Sequence, residues 1–137
     1  MILEKAFGII PLRKIDSGFE VFLIKMKAGH VGFPKGHANP GENQKTTAER
    51  ELFEETHLQV LKYLSKQIFF ESYSFQRDGR KILKSVGYYL AEVEGNIVLE
   101  KNEILDGFWI NFKKAINEIT FSEGKNLAIK ISSLLQK

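Results

Sequence analysis

Apolar side chains recur along this chain in two rhythms, and each predicts a different kind of element. Ala6-Phe-Gly-Ile-Ile-Pro-Leu and Glu20-Val-Phe-Leu-Ile-Lys-Met are short β-branched and aromatic runs separated by the turn-forming Ile15-Asp-Ser-Gly. They read as two strands, with Pro11 marking an edge position or a strand end because proline cannot donate to a ladder. Strand-like stretches return at 58–72 and 83–93, joined by a turn at Asp78-Gly79, and again at Gly107-Phe-Trp-Ile. The rhythm is different at 46–56. There Ala48, Leu52 and either Phe53 or Thr56 fall at spacings of four and three, the buried stripe of a helix. The tail, 124–136, repeats that pattern with Leu127, Ile131, Leu134 and Leu135. Glycine and proline crowd 29–41, which reads as a long ordered loop. Strands flanked by two helices, outside simple βαβ alternation, predict an α/β (α+β) architecture with a mixed β-sheet sandwiched between helices.

Composition narrows this picture without redirecting it. The 137 residues suffice for one domain, 1–137, with a real core. Hydrophobic residues at 43% and charged residues at 27% are the balance of a globular chain, not a disordered one. No apolar run approaches the roughly 20 residues that span a bilayer. The opening Met1-Ile-Leu-Glu-Lys lacks the basic and apolar regions of a secretory signal, so a cytoplasmic location without a membrane partner is expected. With no cysteine there is no disulfide framework, thiolate metal site or cysteine nucleophile. A net charge of +3 is too small to argue for DNA binding, but it favours a polyanionic ligand if the lysines gather at one cleft.

Candidate chemistry sits on the central helix, in Arg50-Glu51-Leu52-Phe53-Glu54-Glu55. At 3.6 residues per turn, Glu51, Glu54 and Glu55 crowd one side, an arrangement that destabilises an isolated helix. Arg50 can offset part of this by reaching Glu54 one turn on. A solvated charged face would need no more explanation than that. The preceding loop changes the balance, because Gly36 and Glu42 stand at fixed distances before Arg50 and bring a fourth carboxylate to the helix start. Carboxylates without a Cys or His pair suit a hard, oxygen-liganded cation, magnesium or manganese more than zinc. Magnesium commonly bridges to substrate phosphates, so phosphate chemistry is the natural use.

The stretch Gly36-x5-Glu42-x7-Arg50-Glu51-Leu52-x-Glu54-Glu55-x-His57-Leu58 resembles the Nudix box. At background frequencies of about 5–7% per residue, a chance match at a given start is on the order of one in 10⁸, so the spacing is specific. The resemblance implies the Nudix fold, a phosphoanhydride hydrolase, and Mg²⁺ (or Mn²⁺) as cofactor. It implies metal ligation by Glu54, Glu55 and Glu51 with the carbonyl of Gly36, and Glu51 as ligand or as the base that activates water. Arg50 would orient the glutamates, and Glu42 would support the loop and helix. One position departs from the box: His57 stands where the family has glycine at the end of the helix. Histidine tolerates positive φ better than most residues, so His57 reads as a helix cap costing about 1 kcal/mol, not as a catalyst.

The loop Phe33-Pro34-Lys35-Gly36-His37, with Pro40-Gly41-Glu42 behind it, resembles the asymmetrically cleaving diadenosine tetraphosphate hydrolases. Tyr88-Tyr-Leu-Ala-Glu-Val and Gly107-Phe-Trp-Ile fit the same subfamily. This resemblance implies cleavage of diadenosine tetraphosphate to ATP and AMP, with Glu103 as a further metal ligand. Lys35 and His37 would grip phosphate, joined by Lys81 and Lys84. Phe121 would stack on adenine, with Tyr73 or Phe75 on the opposite face; Phe33 and Trp109 read as packing. The expected partner is a small nucleotide bound by a monomer. The alternatives are an RNA 5′-pyrophosphohydrolase, with 5′-triphosphate RNA as the nucleic acid, and a nucleotide-binding Nudix domain without turnover.

Overall fold

The computed structural model describes residues 1–136. Its elements in chain order are β1 (Ile2–Ile15), β2 (Gly18–Met26), β3 (Val31–Gly32), β4 (Lys35–Gly36), α1 (Gln44–Thr56), β5 (Gln59–Arg77), β6 (Arg80–Glu94), β7 (Ile104–Asn111), α2 (Phe112–Glu118) and α3 (Ser122–Leu135). The strands form one mixed sheet in the order β3-β2-β1-β6-β5, with β4 added to β1 and β7 to β2.

The strands at the centre of this sheet are apolar on both faces, which is why β1 and β2 read as unbroken apolar runs and not as alternations. From β1, Ala6, Ile10 and Leu12 join a core with Val21 and Leu23 of β2 and with Ala115, Ile119, Leu127 and Ile131 of α2 and α3. Phe7 and Ile9 turn the other way and meet Phe22, Ile24, and the α1 residues Ala48 and Leu52. The sheet is thereby covered by α1 on one face and by α2 and α3 on the other, the mixed sandwich that the pattern predicts.

Three sequence expectations need revision. Pro11 lies at neither an edge nor an end, because β1 runs mid-sheet and pairs in parallel with β6 from Ile2 through Leu12. It falls instead between two partners on the opposite side, β4 at Phe7 and Gly8 and β2 from Leu12 onward, where no ladder donor is needed. The loop 29–41 contains the two-residue strands β3 and β4. The third helix, α2, was not foreseen; it follows β7 directly and buries only Phe112 and Ala115. In α1 it is Thr56, not Phe53, that completes the buried stripe. The β5–β6 hairpin turns at Asp78 and Gly79, with φ of 53° and 74°, the paired positive angles of a tight hairpin turn.

Candidate functional site

Loop 37–43 is tied to α1 before any ligand is considered. Asn43 caps the helix by accepting from the Thr46 N–H at 2.8 Å. Glu42 accepts from the Asn39 N–H at 3.0 Å and from the Thr47 hydroxyl at 2.8 Å. Arg50 then closes the loop against the helix. Its Nε donates to Glu42 Oε2 at 2.7 Å and its Nη2 to Glu42 Oε1 at 2.9 Å, a bidentate pair. Nη2 also donates to the His37 carbonyl at 2.9 Å, while Nη1 reaches Glu51 at 3.0 Å and Glu54 at 2.9 Å. The Arg50 guanidinium, with help from Asn39 and Thr47, holds the Glu42 carboxyl down at about 2.

The other carboxylates are pushed the opposite way. Burial raises Glu51 above the usual carboxylate range, partly offset by Arg50. Burial raises Glu55 further, to about 8, with the charges of Glu51 and Glu103 adding to it and Lys35 opposing. Glu55 Oε1 is buried with no hydrogen-bond partner. Gly36 of β4 lies so close to Glu51 that a Cβ built there would stand 2.1 Å from the Glu51 Cδ. A glycine is therefore required at this crossing. Arg50 holds Glu51 and Glu54, and among the described residues no three His, Asp or Glu side chains already stand together as a ligand set.

These residues nevertheless suit a divalent cation. The donors are all oxygen, one buried carboxylate oxygen lacks any partner, and a cation would relieve the repulsion that raises Glu55. Glu103 is near enough to act on Glu55 by charge, although its own side chain is exposed.

Beside the glutamates lies a cavity of about 790 Å³ that Glu55 helps to line. Five of the residues that the sequence offers as substrate-binding candidates, Lys35, Lys84, Tyr73, Phe75 and Phe121, line it too. His37 stands outside the lining, exposed, with Nε2 3.9 Å from Glu4. Lys81 is exposed, paired in register with Gln76 and absent from the cavity wall. Phe33 and Trp109 are packing residues, edge-on to Tyr88 at 5.4 Å and to Phe22 at 5.3 Å.

Sequence reasoning missed His30 and Glu71. His30 lines the cavity and lies 5.3 Å from the half-exposed ring of Phe121. Burial and the charges of Lys35 and Lys84 lower its pKa. Strand alternation from Tyr73 and Phe75 leads back to Glu71, a signal that was legible.

His57 ends α1 at φ 66° and ψ 9°, donating its N–H to the Phe53 carbonyl and stacking on the Phe53 ring at 4.7 Å. The left-handed cap expected from the sequence is thus in place. No helix of the described residues is long and apolar enough to cross a membrane.

A mixed sheet between helices, with a glutamate-bearing helix closed against a glycine loop, defines a class. The NUDIX domain family model matches residues 3–129, and the chain belongs to the Nudix family. Along its length it is similar to the bis(5′-nucleosyl)-tetraphosphatase [asymmetrical] of Caenorhabditis elegans, with 28% identity over 137 residues covering 98% of each chain. The Mus musculus protein of the same name is 31% identical over 131 residues, covering 88% of each. A Mycobacterium tuberculosis protein bearing the name MutT4 is 30% identical over 107 residues, and the match spans 76% of this chain and 42% of that protein. Among solved structures, C. elegans Ap4A hydrolase superposes with a TM-score of 0.72 at 28% identity, covering 98% and 99% of the two chains.

Proposed function

We propose that this Nudix hydrolase cleaves dinucleoside polyphosphates in a magnesium-dependent reaction, taking diadenosine tetraphosphate to ATP and AMP by attack of water on phosphorus. The observation that carries the reading is one cavity in which Glu55 shares a wall with Lys35, Lys84 and the rings of Tyr73, Phe75 and Phe121. It joins a carboxylate cluster, cations for phosphate and aromatic surface for a base. The likeness to asymmetrical tetraphosphatases over nearly the whole chain supports the same reading.

Glu51, Glu54, Glu55 and Glu103, with the Gly36 carbonyl, would hold Mg²⁺, with Mn²⁺ as a substitute. The cation supplies neutralisation of the charge that develops on the phosphoryl oxygens. Glu51, raised by burial, is suited to take the proton from the attacking water. Arg50 keeps Glu51 and Glu54 turned to the same side of α1. Lys35 and Lys84 hold the phosphates, His37 can reach them only by turning from Glu4, and Phe121 with Tyr73 or Phe75 stacks on the base, worth about 1–3 kcal/mol. Lys81 has no part in this arrangement.

Replacing Glu54 by Gln is expected to slow hydrolysis by at least about 100-fold at saturating magnesium. Turnover at the wild-type rate would overturn the metal assignment.

A further inference from the structure

Glu71 is placed where a carboxylate is costly. It alternates along β5 with Tyr73 and Phe75, so the three side chains share one face of the strand, and all three line the cavity with Phe121. Its immediate neighbour toward the core on that face is Phe69, which is fully packed away. Tyr88 donates from its hydroxyl to Glu71 Oε1 at 3.2 Å. That hydroxyl is the one side-chain hydrogen-bond partner of the carboxylate among the described residues, and Lys35 acts on it only as a more distant charge. Glu123 of α3 lines the same cavity and repels it. Burial raises the Glu71 pKa, which is the mark of a carboxyl group held in an apolar wall without a counter-ion.

The second oxygen has a direction. A Cβ built on Gly124 would stand 3.7 Å from Glu71 Oε2, so this oxygen faces the first turn of α3, three residues from the Phe121 ring. A base stacked on Phe121 would bring its edge toward that oxygen. With Oε1 held by Tyr88, Oε2 stays free at the cavity wall to accept a hydrogen bond from a ligand that displaces solvent there. A 6-amino purine offers an N–H there, whereas a 6-oxo purine offers a second acceptor. An acceptor facing this partly buried acceptor, with solvent displaced by the base, leaves both unpaired, which is how polar sites reject near-isosteres.

We propose that Glu71 is the specificity-determining residue of the base subsite, accepting a hydrogen bond from the 6-amino group of adenine and disfavouring 6-oxo purines. This rests on the nucleotide-binding half of the proposed function and not on its hydrolytic half.

The test is calorimetric titration of the magnesium-free protein with AMP and with IMP, for the wild type and for Glu71→Gln. The wild type is expected to bind AMP at least about tenfold more tightly than IMP. In Glu71→Gln the ratio is expected to fall to near one, because an amide can either accept from an amino group or donate to a carbonyl. The ratio is taken within one protein, so a partly unfolded variant does not alter it, and the wild-type ratio stands as a test even if the variant does not fold. With diadenosine tetraphosphate as substrate, the same substitution is expected to raise KM and leave kcat unchanged, which loss of structure alone would not do. Equal affinity of the wild type for AMP and IMP, no binding of either, or an unchanged ratio in Glu71→Gln overturns the assignment. A preference for AMP without cleavage of diadenosine tetraphosphate supports the assignment and removes the hydrolase reading. Cleavage without the preference does the reverse.

Discussion

Arg50 spends its donors on three carboxylates and one carbonyl, and that concentration makes it the residue whose loss should be felt most widely. Arg50→Ala frees Glu42, Glu51 and Glu54 to repel one another and opens the loop at His37. The melting temperature should fall by about 5 °C or more, read by circular dichroism. Lysine at 50 should rescue little of this, because an ammonium cannot make the bidentate contact with Glu42. His57 makes an opposite case. Substitution by Val, which is poorly tolerated at positive φ, should cost about 1–2 kcal/mol in urea unfolding and leave kcat unchanged. A fall in kcat larger than the loss of folded protein would contradict the reading of His57 as a cap alone. The spacing of Glu51, Glu54 and Glu55 was legible because helical periodicity is written in the sequence itself. The grip of Arg50 on Glu42 and on the His37 carbonyl was only half legible, since it depends on how a glycine-rich loop closes.

Short elements position this site, and they are the ones that pattern reading found hardest. β4 is two residues long, yet it brings Gly36 against Glu51 and pairs with Phe7 and Gly8 of β1. No periodicity exists in two residues, so the sequence showed only a loop. α2 escaped for a related reason: seven residues with two buried side chains do not set up a stripe. The long elements were found because each buries several turns or alternations. Gly36→Ala tests the role of β4 directly. A methyl group there must displace the Glu51 carboxyl, and a displacement near 1 Å at a reacting centre can cost about 10²-fold in rate. The expected result is a kcat reduced by about that factor with a melting temperature lowered only slightly. A variant that melts far lower but retains kcat when folded would place the importance of Gly36 in stability alone.

The molecule as a whole couples folding to the charge of its carboxylates. Glu55 holds its proton up to about 8 in the folded chain and to about 4.5 when unfolded. Between those values the folded state binds more protons, so stability is fully present below the unfolded pKa and declines as pH rises through about 8. Glu42 acts in the other direction, its contribution being lost only as pH falls toward about 2, well outside that window. Magnesium-free protein should therefore unfold at lower urea concentration at pH 8 than at pH 5.5, and Glu55→Gln should flatten the difference. Saturating magnesium should raise the midpoint more at pH 8, since cation binding needs the ionised carboxylate. Equal midpoints at both pH values, in wild type and variant alike, would contradict a Glu55 whose charged form is disfavoured by burial. The alternating layers of the sandwich were readable from the two-faced apolar strands. The parallel pairing of β1 with β6 was not, because it joins segments some 80 positions apart and leaves no local trace.

Product analysis reaches the proposed chemistry most directly. The protein is incubated with magnesium and, in parallel at equal concentration, diadenosine tetraphosphate and 5′-triphosphorylated RNA, and products are resolved by ion-exchange chromatography. The expected result is ATP and AMP in equal amounts from the dinucleotide, faster than any release from RNA, and abolished by chelation of the metal. Two equivalents of ADP, faster cleavage of the RNA, or full activity after chelation would contradict it.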